Sequence, residues 1–182
     1  MSKILELINI SDTIKRRKKE SAIKVAYMDL LQRILLLVII GYLILTQIFL
    51  IVRESGNEMF PAIKDGDLII VFRLQREFEK NDIVSYKVKG VRHTGRILAR
   101  ETDIVTIDDS GTLLVNGTAQ VGETFYPTYA RGGIEYPYRV PEDSVFVLGD
   151  YRTQTVDSRD LGPISTDAVE GKVITILRRR GL

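Results

Sequence analysis

The sequence of 182 residues contains no cysteine and only one histidine, His93. The lack of cysteine excludes thiol catalysis, cysteine metal sites and disulfide bonds, so any folded domain of the chain must be stable without cross-links. A domain of about 130 residues can reach that stability through core burial alone. The chain also lacks a metal-ligand cluster, a phosphate-binding loop and a nucleotide motif, and we therefore expect no metal and no cofactor.

Positive charge is concentrated at the N-terminus, although the net charge of the chain is only +2. The first 33 residues contain eight basic and four acidic side chains, so the remainder of the chain carries a net charge of −2. The basic run from Lys15 to Lys19 could contact nucleic acid. The segment that follows it indicates a membrane instead, and we expect no nucleic-acid partner.

A long uncharged segment extends from Ile34 to Val52. As a helix it would span roughly 28 Å, close to the ~30 Å hydrocarbon core of a bilayer. A buried helix of a soluble protein is usually shorter, and a cleavable signal would end in small residues, which Phe49 to Arg53 lack. The sequence therefore predicts one transmembrane helix over residues 34–52. Because basic flanks stay inside, we expect residues 1–33 in the cytoplasm and residues 53–182 outside the cell membrane.

The rest of the chain has a pattern typical of β-strands, namely short runs of branched residues separated by turns. These runs cover residues 68–72, 82–86, 97–100, 104–107, 113–115, 145–148 and 173–176. Asp65-Gly66-Asp67, Asp109-Ser110-Gly111 and the hairpin-type pair Asn116-Gly117 are turn sequences. Several short strands without helical patterns between them predict a mainly β fold, an antiparallel, partly closed β domain preceded by one transmembrane helix.

One segment, residues 122–141, interrupts the strand pattern with three prolines, three glycines and four of the eight tyrosines. Two interpretations are open. The rings could pack on the sheet as a local lid, or exposed tyrosines could contact a protein partner.

Residues Gly56-Asn57-Glu58-Met59-Phe60-Pro61 closely resemble the nucleophile segment of type I signal peptidases, Gly-x-Ser-Met-x-Pro. Further segments follow in that family's order: NDIVSY at 81–86, HTGRIL at 93–98, IDDSGTLLVNG at 107–117 and VFVLGDYRTQTVDSRDLGPI at 145–164. No single motif is decisive, but five in register make nearly the whole chain, from the apolar segment to Arg178, similar to this family.

The resemblance implies a serine nucleophile and a lysine base that burial keeps neutral. The corresponding positions hold Glu58 and Gly95. A carboxylate has no proton to lose on attack and glycine supplies no base, so we expect no catalytic residue. We expect instead a binding cleft, formed by Gly56, Asn57, Glu58, Met59, Phe60, Pro61 and Gly95. A buried Glu58 also needs a charge partner, for which Arg96 or a nearby lysine is available.

The resemblance also implies a set of supporting residues. Asp150 would pair with Arg96, while Asp157 and Arg159 would brace the same wall of the site. Thr155 stands where the family has a supporting serine near the lysine.

Other hydroxyl and amine groups could in principle replace the missing pair. Ser55 would have to shift roughly 10 Å along an extended backbone to take the nucleophile position. Ser85, Lys87 and Lys89 lie on or just after the neighbouring strand, and a charged strand edge explains the lysines more simply.

His93 is the sharpest candidate for a relocated base, because it shares a strand face with Gly95 by the period of two. It is displaced by two positions and has no serine partner. A carboxylate pair of Glu58 with Asp157 or Asp150 would be a different solution, of the aspartic type.

The preserved support and the altered reacting positions resemble a subgroup of the family that lacks the dyad. Such signal-peptidase-like proteins occur with the surface-pilus genes of Gram-positive bacteria and assist pilus polymerisation by sortases. The resemblance implies a membrane-anchored pseudoenzyme whose partners are an exported protein such as pilin and a sortase. Two alternatives are an active signal peptidase with relocated groups and a tethered domain that contacts mainly itself.

Overall fold

The computed structural model describes residues 2–120 and 126–178, with side chains from residue 17 onward except at residue 20. The chain begins with helix α1, Ser2–Ile48. Its part from Arg17 to Ile48 is long and apolar enough to cross a membrane, and none of its most apolar window is buried. The predicted apolar helix is confirmed.

The end of this helix differs from the prediction. We expected helix to Val52, but Phe49–Arg53 form a strand, β1, that pairs with the next strand along the chain. Apolar runs do not distinguish helix from strand by composition, and here pairing with a partner strand decides the conformation.

The β domain contains a large and a small sheet. Further strands of the large sheet are β2 (Leu68–Phe72), β3 (Ile83–Val88), β4 (Val91–Ala99), β9 (Ser144–Leu148), β10 (Ile164–Ser165) and β11 (Val169–Leu177). Their order is β1-β2-β11-β3-β4-β9-β10, and every neighbouring pair is antiparallel. A short helix, α2 (Ser158–Leu161), and a 3-10 turn, Thr166–Ala168, follow β9. The predicted mainly antiparallel β architecture is confirmed.

The small sheet is inserted between β4 and β9 in the sequence. It consists of β5 (Ile104–Ile107), β6 (Leu113–Val115), β7 (Thr118–Ala119) and β8 (Tyr138–Arg139), in the order β7-β6-β5-β8. Asn116 and Gly117 form the two-residue turn between β6 and β7, and both have positive φ, 52° and 77°. This geometry is what the Asn-Gly pair predicts for a hairpin.

Three buried clusters stabilise the domain. One lies between the small sheet and β9, a second around β3, β4 and β9, and a third under β1 and β2. The third cluster contains Met59 and Ile63 as well as Ile69 and Val71 of β2. The segment that resembles the nucleophile motif is therefore anchored to the core.

In the tyrosine-rich segment, some rings pack on the domain and one is exposed. Residues 122–125 of this segment lie outside the described residues. Tyr138 packs on Phe146 with a centroid distance of 6.2 Å, and Tyr136 packs against the same cluster. Tyr126 contacts Tyr151 at 4.7 Å. Tyr129 is 52% exposed. Packing accounts for three rings, and contact with a partner stays a prediction for Tyr129.

Candidate binding cleft

Glu58 lies in a tight turn whose backbone is fixed from both sides. The Phe60 amide donates to Asn57 O at 3.0 Å, and the Tyr151 amide donates to Glu58 O at 3.0 Å. Gly149 packs so closely beneath this turn that a β-carbon there would lie 2.7 Å from Glu58 O. The turn is thus seated directly on the loop after β9.

The residues of this turn do not all face the surface. The Glu58 side chain is 27% exposed and Phe60 is 36% exposed. Met59 is completely buried in the core cluster with Ile63. The expectation that Met59 lines the cleft is therefore wrong, because its apolar side chain anchors the turn.

The neighbouring residues of the motif complete the surface near Glu58. Asn57 and Gly56 are exposed, and Pro61 is half-buried. Gly56 has a φ of +102° and donates its amide to Asp65 Oδ1 at 2.9 Å. Positive φ favours glycine, which explains this residue at the start of the turn.

His93 is a basic side chain beside Glu58. Its Nδ1 lies 3.7 Å from Glu58 Oε2, too far for a hydrogen bond, and its ring stacks on Tyr86 with centroids 5.5 Å apart. Burial lowers the pKa of His93 below its usual 6.5, so the ring is mainly neutral at neutral pH. Burial, followed by the charge of Asp157, raises the pKa of Glu58. These shifts oppose an ion pair between the two side chains.

The expected cationic partner of Glu58 is not observed. Within the described chain, no lysine or arginine nitrogen lies within 4.0 Å of its carboxylate, and His93 is the one basic group that does. Arg96 instead donates to both carboxylate oxygens of Asp150, at 2.9 and 2.7 Å.

A second buried carboxylate, Glu54, lies at the start of the same segment. Thr94 Oγ1 donates to Glu54 Oε2 at 3.0 Å, which joins this segment to β4. Burial raises the pKa of Glu54, and the nearby charge of Glu58 adds to the shift. The segment before the turn is thus held beside β4 through a buried carboxylate.

The position that corresponds to the lysine base has no room for a side chain. A β-carbon on Gly95 would lie 2.5 Å from Val147 Cγ1, 3.3 Å from Leu148 O and 3.4 Å from Tyr86 Cε1. Tyr86 is 1% exposed. Burial raises the pKa of its phenol, and the charges of Asp157 and Glu58 raise it further. The Tyr86 ring and Val147 therefore fill the space beside Gly95.

A buried network supports the wall behind the cleft. Arg159 donates to Asp157 Oδ1 at 2.9 Å and Oδ2 at 2.7 Å, with both side chains 1% exposed. Thr155 Oγ1 donates to Asp157 Oδ2 at 2.7 Å. Asp157 also caps α2 by accepting the Arg159 amide. This arrangement satisfies a buried charge pair by hydrogen bonds, the condition under which such pairs are tolerated.

Sequence reasoning missed a second buried arginine. Arg152 is 5% exposed and donates to Gly149 O at 2.8 Å and Thr128 Oγ1 at 2.7 Å. Burial lowers its pKa to about 10. Arg152 could have been identified from the motif Gly149-Asp150-Tyr151-Arg152, in which the sequence analysis assigned a role only to Asp150.

The alternative catalytic groups are not assembled into a site. Ser55 and Lys87 are exposed, and Lys89 is in the hairpin turn between β3 and β4. Ser85 is buried and donates to Glu170 Oε2 at 3.2 Å. Because Ser85 pairs with Thr94 in the register, it points away from the face that carries Gly95.

The carboxylate pairs are not arranged for shared protonation either. Asp150 is bound by Arg96 and Asp157 by Arg159. Aspartic-type catalysis requires two carboxyls that share one proton, whereas each of these aspartates is hydrogen-bonded to an arginine.

Comparisons with known proteins identify the family of this chain. A family model described as signal peptidase, peptidase S26, matches residues 27–177. A signal peptidase I of Bacillus licheniformis is 29% identical over 169 residues, which cover 85% of this chain and 90% of that protein. Signal peptidase I T of Bacillus subtilis is 26% identical, with coverage of 88% and 89%.

A solved structure of a signal peptidase I from Enterococcus faecalis is 26% identical, with a TM-score of 0.46. The match covers 54% of this chain and 97% of that one. The chain thus combines a mainly antiparallel β domain with an apolar helix that is long enough to cross a membrane. The family match extends over most of the chain, which therefore belongs to the signal peptidase family S26.

Proposed function

We propose that this protein is a signal-peptidase-like pseudoenzyme that binds exported polypeptides and assists the assembly of a surface pilus. The observation that carries the proposal is that neither position of the family's catalytic pair holds a reacting residue. Glu58 replaces the nucleophile, and Gly95 replaces the base in a space filled by Tyr86 and Val147. Losing such groups leaves only residual catalysis of about 10³–10⁴ over water in serine proteases.

Binding does not need those reacting groups. β4 pairs with β3 from Val91 to Arg96, but with β9 only from Arg96 onward. Within the described chain, residues 91–95 have no strand partner on that second side. An extended polypeptide could add there as a further strand, a recognition mode in which the backbone supplies the hydrogen bonds.

The competing function is an active signal peptidase, which the names of the relatives favour. Full-length protein in detergent, offered a preprotein with an Ala-x-Ala site, distinguishes the two. The pseudoenzyme is expected to give no specific cleavage. Cleavage that disappears in Ser55→Ala or His93→Ala would establish the competing function.

The assembly role is tested by deletion of the gene in its own host. We expect loss of the surface polymer while general protein export continues. Accumulation of unprocessed preproteins would contradict the proposal.

The identity of the client is tested by photocrosslinking in living cells. Met59 is buried and unsuitable for a probe, whereas Phe60 is accessible at the surface. A probe at Phe60 is expected to trap pilin or a sortase. Leu74, which is 60% exposed on the β2–β3 connection, provides the control position.

A further inference from the structure

Among the described residues, the carboxylate of Glu58 has no lysine or arginine as a charge partner. It is partly exposed, and the described chain places no lysine or arginine within 4.0 Å of it. A half-buried carboxylate without a cation is electrostatically unfavourable, and proteins usually pair such groups.

Among the described residues, His93 is the one basic group beside Glu58, and it does not neutralise the carboxylate. His93 is 3.7 Å away and stacked on Tyr86. Burial lowers the pKa of His93, so its ring adds little positive charge at neutral pH. Glu54, hydrogen-bonded by Thr94 across to β4, adds a second negative charge near Glu58. The local field therefore favours an incoming cation.

Aromatic rings also belong to this turn and to the loop that contacts it. Phe60 contacts Tyr151 with ring centroids 6.2 Å apart, and Tyr151 contacts Tyr126 at 4.7 Å. The Lys64 ammonium lies 6.0 Å from the Phe60 centroid, within the range of a cation–π contact. Rings beside a carboxylate suit the apolar stem and charged end of a long basic side chain.

We propose that the cleft selects an extended segment of an exported polypeptide that carries a lysine or arginine, whose charged end pairs with Glu58. The inference rests on the proposed binding function and specifies its client chemistry. In this arrangement, the unpaired edge of β4 at residues 91–95 holds the backbone of the client, and Glu58 reads one of its side chains.

The test uses the full-length protein in nanodiscs and fluorescent extended peptides. Each peptide carries one lysine at a different position, and a matched set carries norleucine, which has a similar stem and no charge. For one position of the lysine along the peptide, we expect the lysine peptide to bind at least about tenfold more tightly than its norleucine counterpart. Close charge pairs at interfaces contribute that much or more.

Variants separate this charge recognition from general attraction. Glu58→Gln is expected to abolish the preference for lysine, and Glu58→Lys to transfer it to a glutamate peptide. Glu77→Gln, on the exposed β2–β3 connection, is the control and should leave the preference intact.

The outcomes distinguish this inference from the proposed function. Equal binding of lysine and norleucine peptides by the unaltered protein overturns the inference and leaves polypeptide binding in place. A preference that survives in Glu58→Gln also overturns it. Failure of every peptide to bind contradicts both the inference and the proposed function.

Discussion

Val147 closes the space that a side chain at position 95 would need, because a β-carbon on Gly95 would lie 2.5 Å from its Cγ1. Carbon atoms in packed interiors do not approach so closely, so the neighbouring strand would have to move. The contact makes the glycine a packing requirement of the β4–β9 pair.

Gly95→Ala is therefore expected to lower the free energy of unfolding by about 1–3 kcal/mol, the usual range for overpacking. In a Val147→Ala background the same change should have a smaller effect, because the colliding methyl group is gone. Chemical denaturation of the four proteins in a double-mutant cycle measures this coupling. Equal effects in both backgrounds would contradict the packing argument.

Restoring the two family residues at once is expected to leave the protein inactive. In Glu58→Ser with Gly95→Lys, the lysine would have to enter space held by Val147 and Tyr86. Incubation with a preprotein that has an Ala-x-Ala site measures the outcome. Folding of the variant is checked by its circular dichroism spectrum, and specific cleavage by a folded variant would refute the prediction.

The buried pair of Arg159 and Asp157 should be far more important for stability than an exposed one. Arg159→Met leaves a buried carboxylate without its cation, and breaking such a pair typically removes about 3–5 kcal/mol. Arg92→Met breaks the more exposed pair with Glu170 and should change stability by about 1 kcal/mol or less. Urea unfolding compares the two, and similar losses would contradict the assigned difference.

Glu54 is expected to make the protein more stable as pH falls toward its usual pKa of 4.5. Burial raises the pKa of this carboxyl, so the folded state binds its proton more readily than the unfolded state does. Its contribution is therefore unfavourable at neutral pH and is relieved as pH falls through the folded-state pKa.

Glu54→Gln keeps an oxygen that can accept from Thr94 while removing the charge. The variant should be more stable than the unaltered protein at neutral pH, and the gap should shrink as pH falls to 4.5. Thermal unfolding across this range provides the measurement. A gap that is constant with pH would show that ionisation of Glu54 has no part in it.

The strands that build the main frame could be predicted because their sequences have local signals. Leu68–Phe72, Ile104–Ile107 and Leu113–Val115 are the same in prediction and structure. Short strands such as Ile164–Ser165 carry too few residues for a period of two to be visible. Phe49–Arg53 was assigned partly to helix because its strand character depends on pairing with β2.

The sequence predicted which residue types stand at the site, but not which side chains fill the space around them. The motif identified Glu58 and Gly95 as altered positions, and Arg96 with Asp150 as a pair. It gave no indication that Tyr86 lies against Gly95, since this contact joins two strands. The burial of Met59 was also hidden, because an apolar residue in a polar turn can face either way.

The packing around Gly95 has a consequence for how this chain can change over generations. A lysine introduced there alone would strain the β4–β9 contact, and a serine introduced alone at position 58 would lack a base. Enlarging the space first, at Val147 or Tyr86, would open a cavity in the core. Each single substitution toward the family's serine and lysine therefore either disturbs the packing or lacks its partner residue, so the two positions and their neighbours would have to change together.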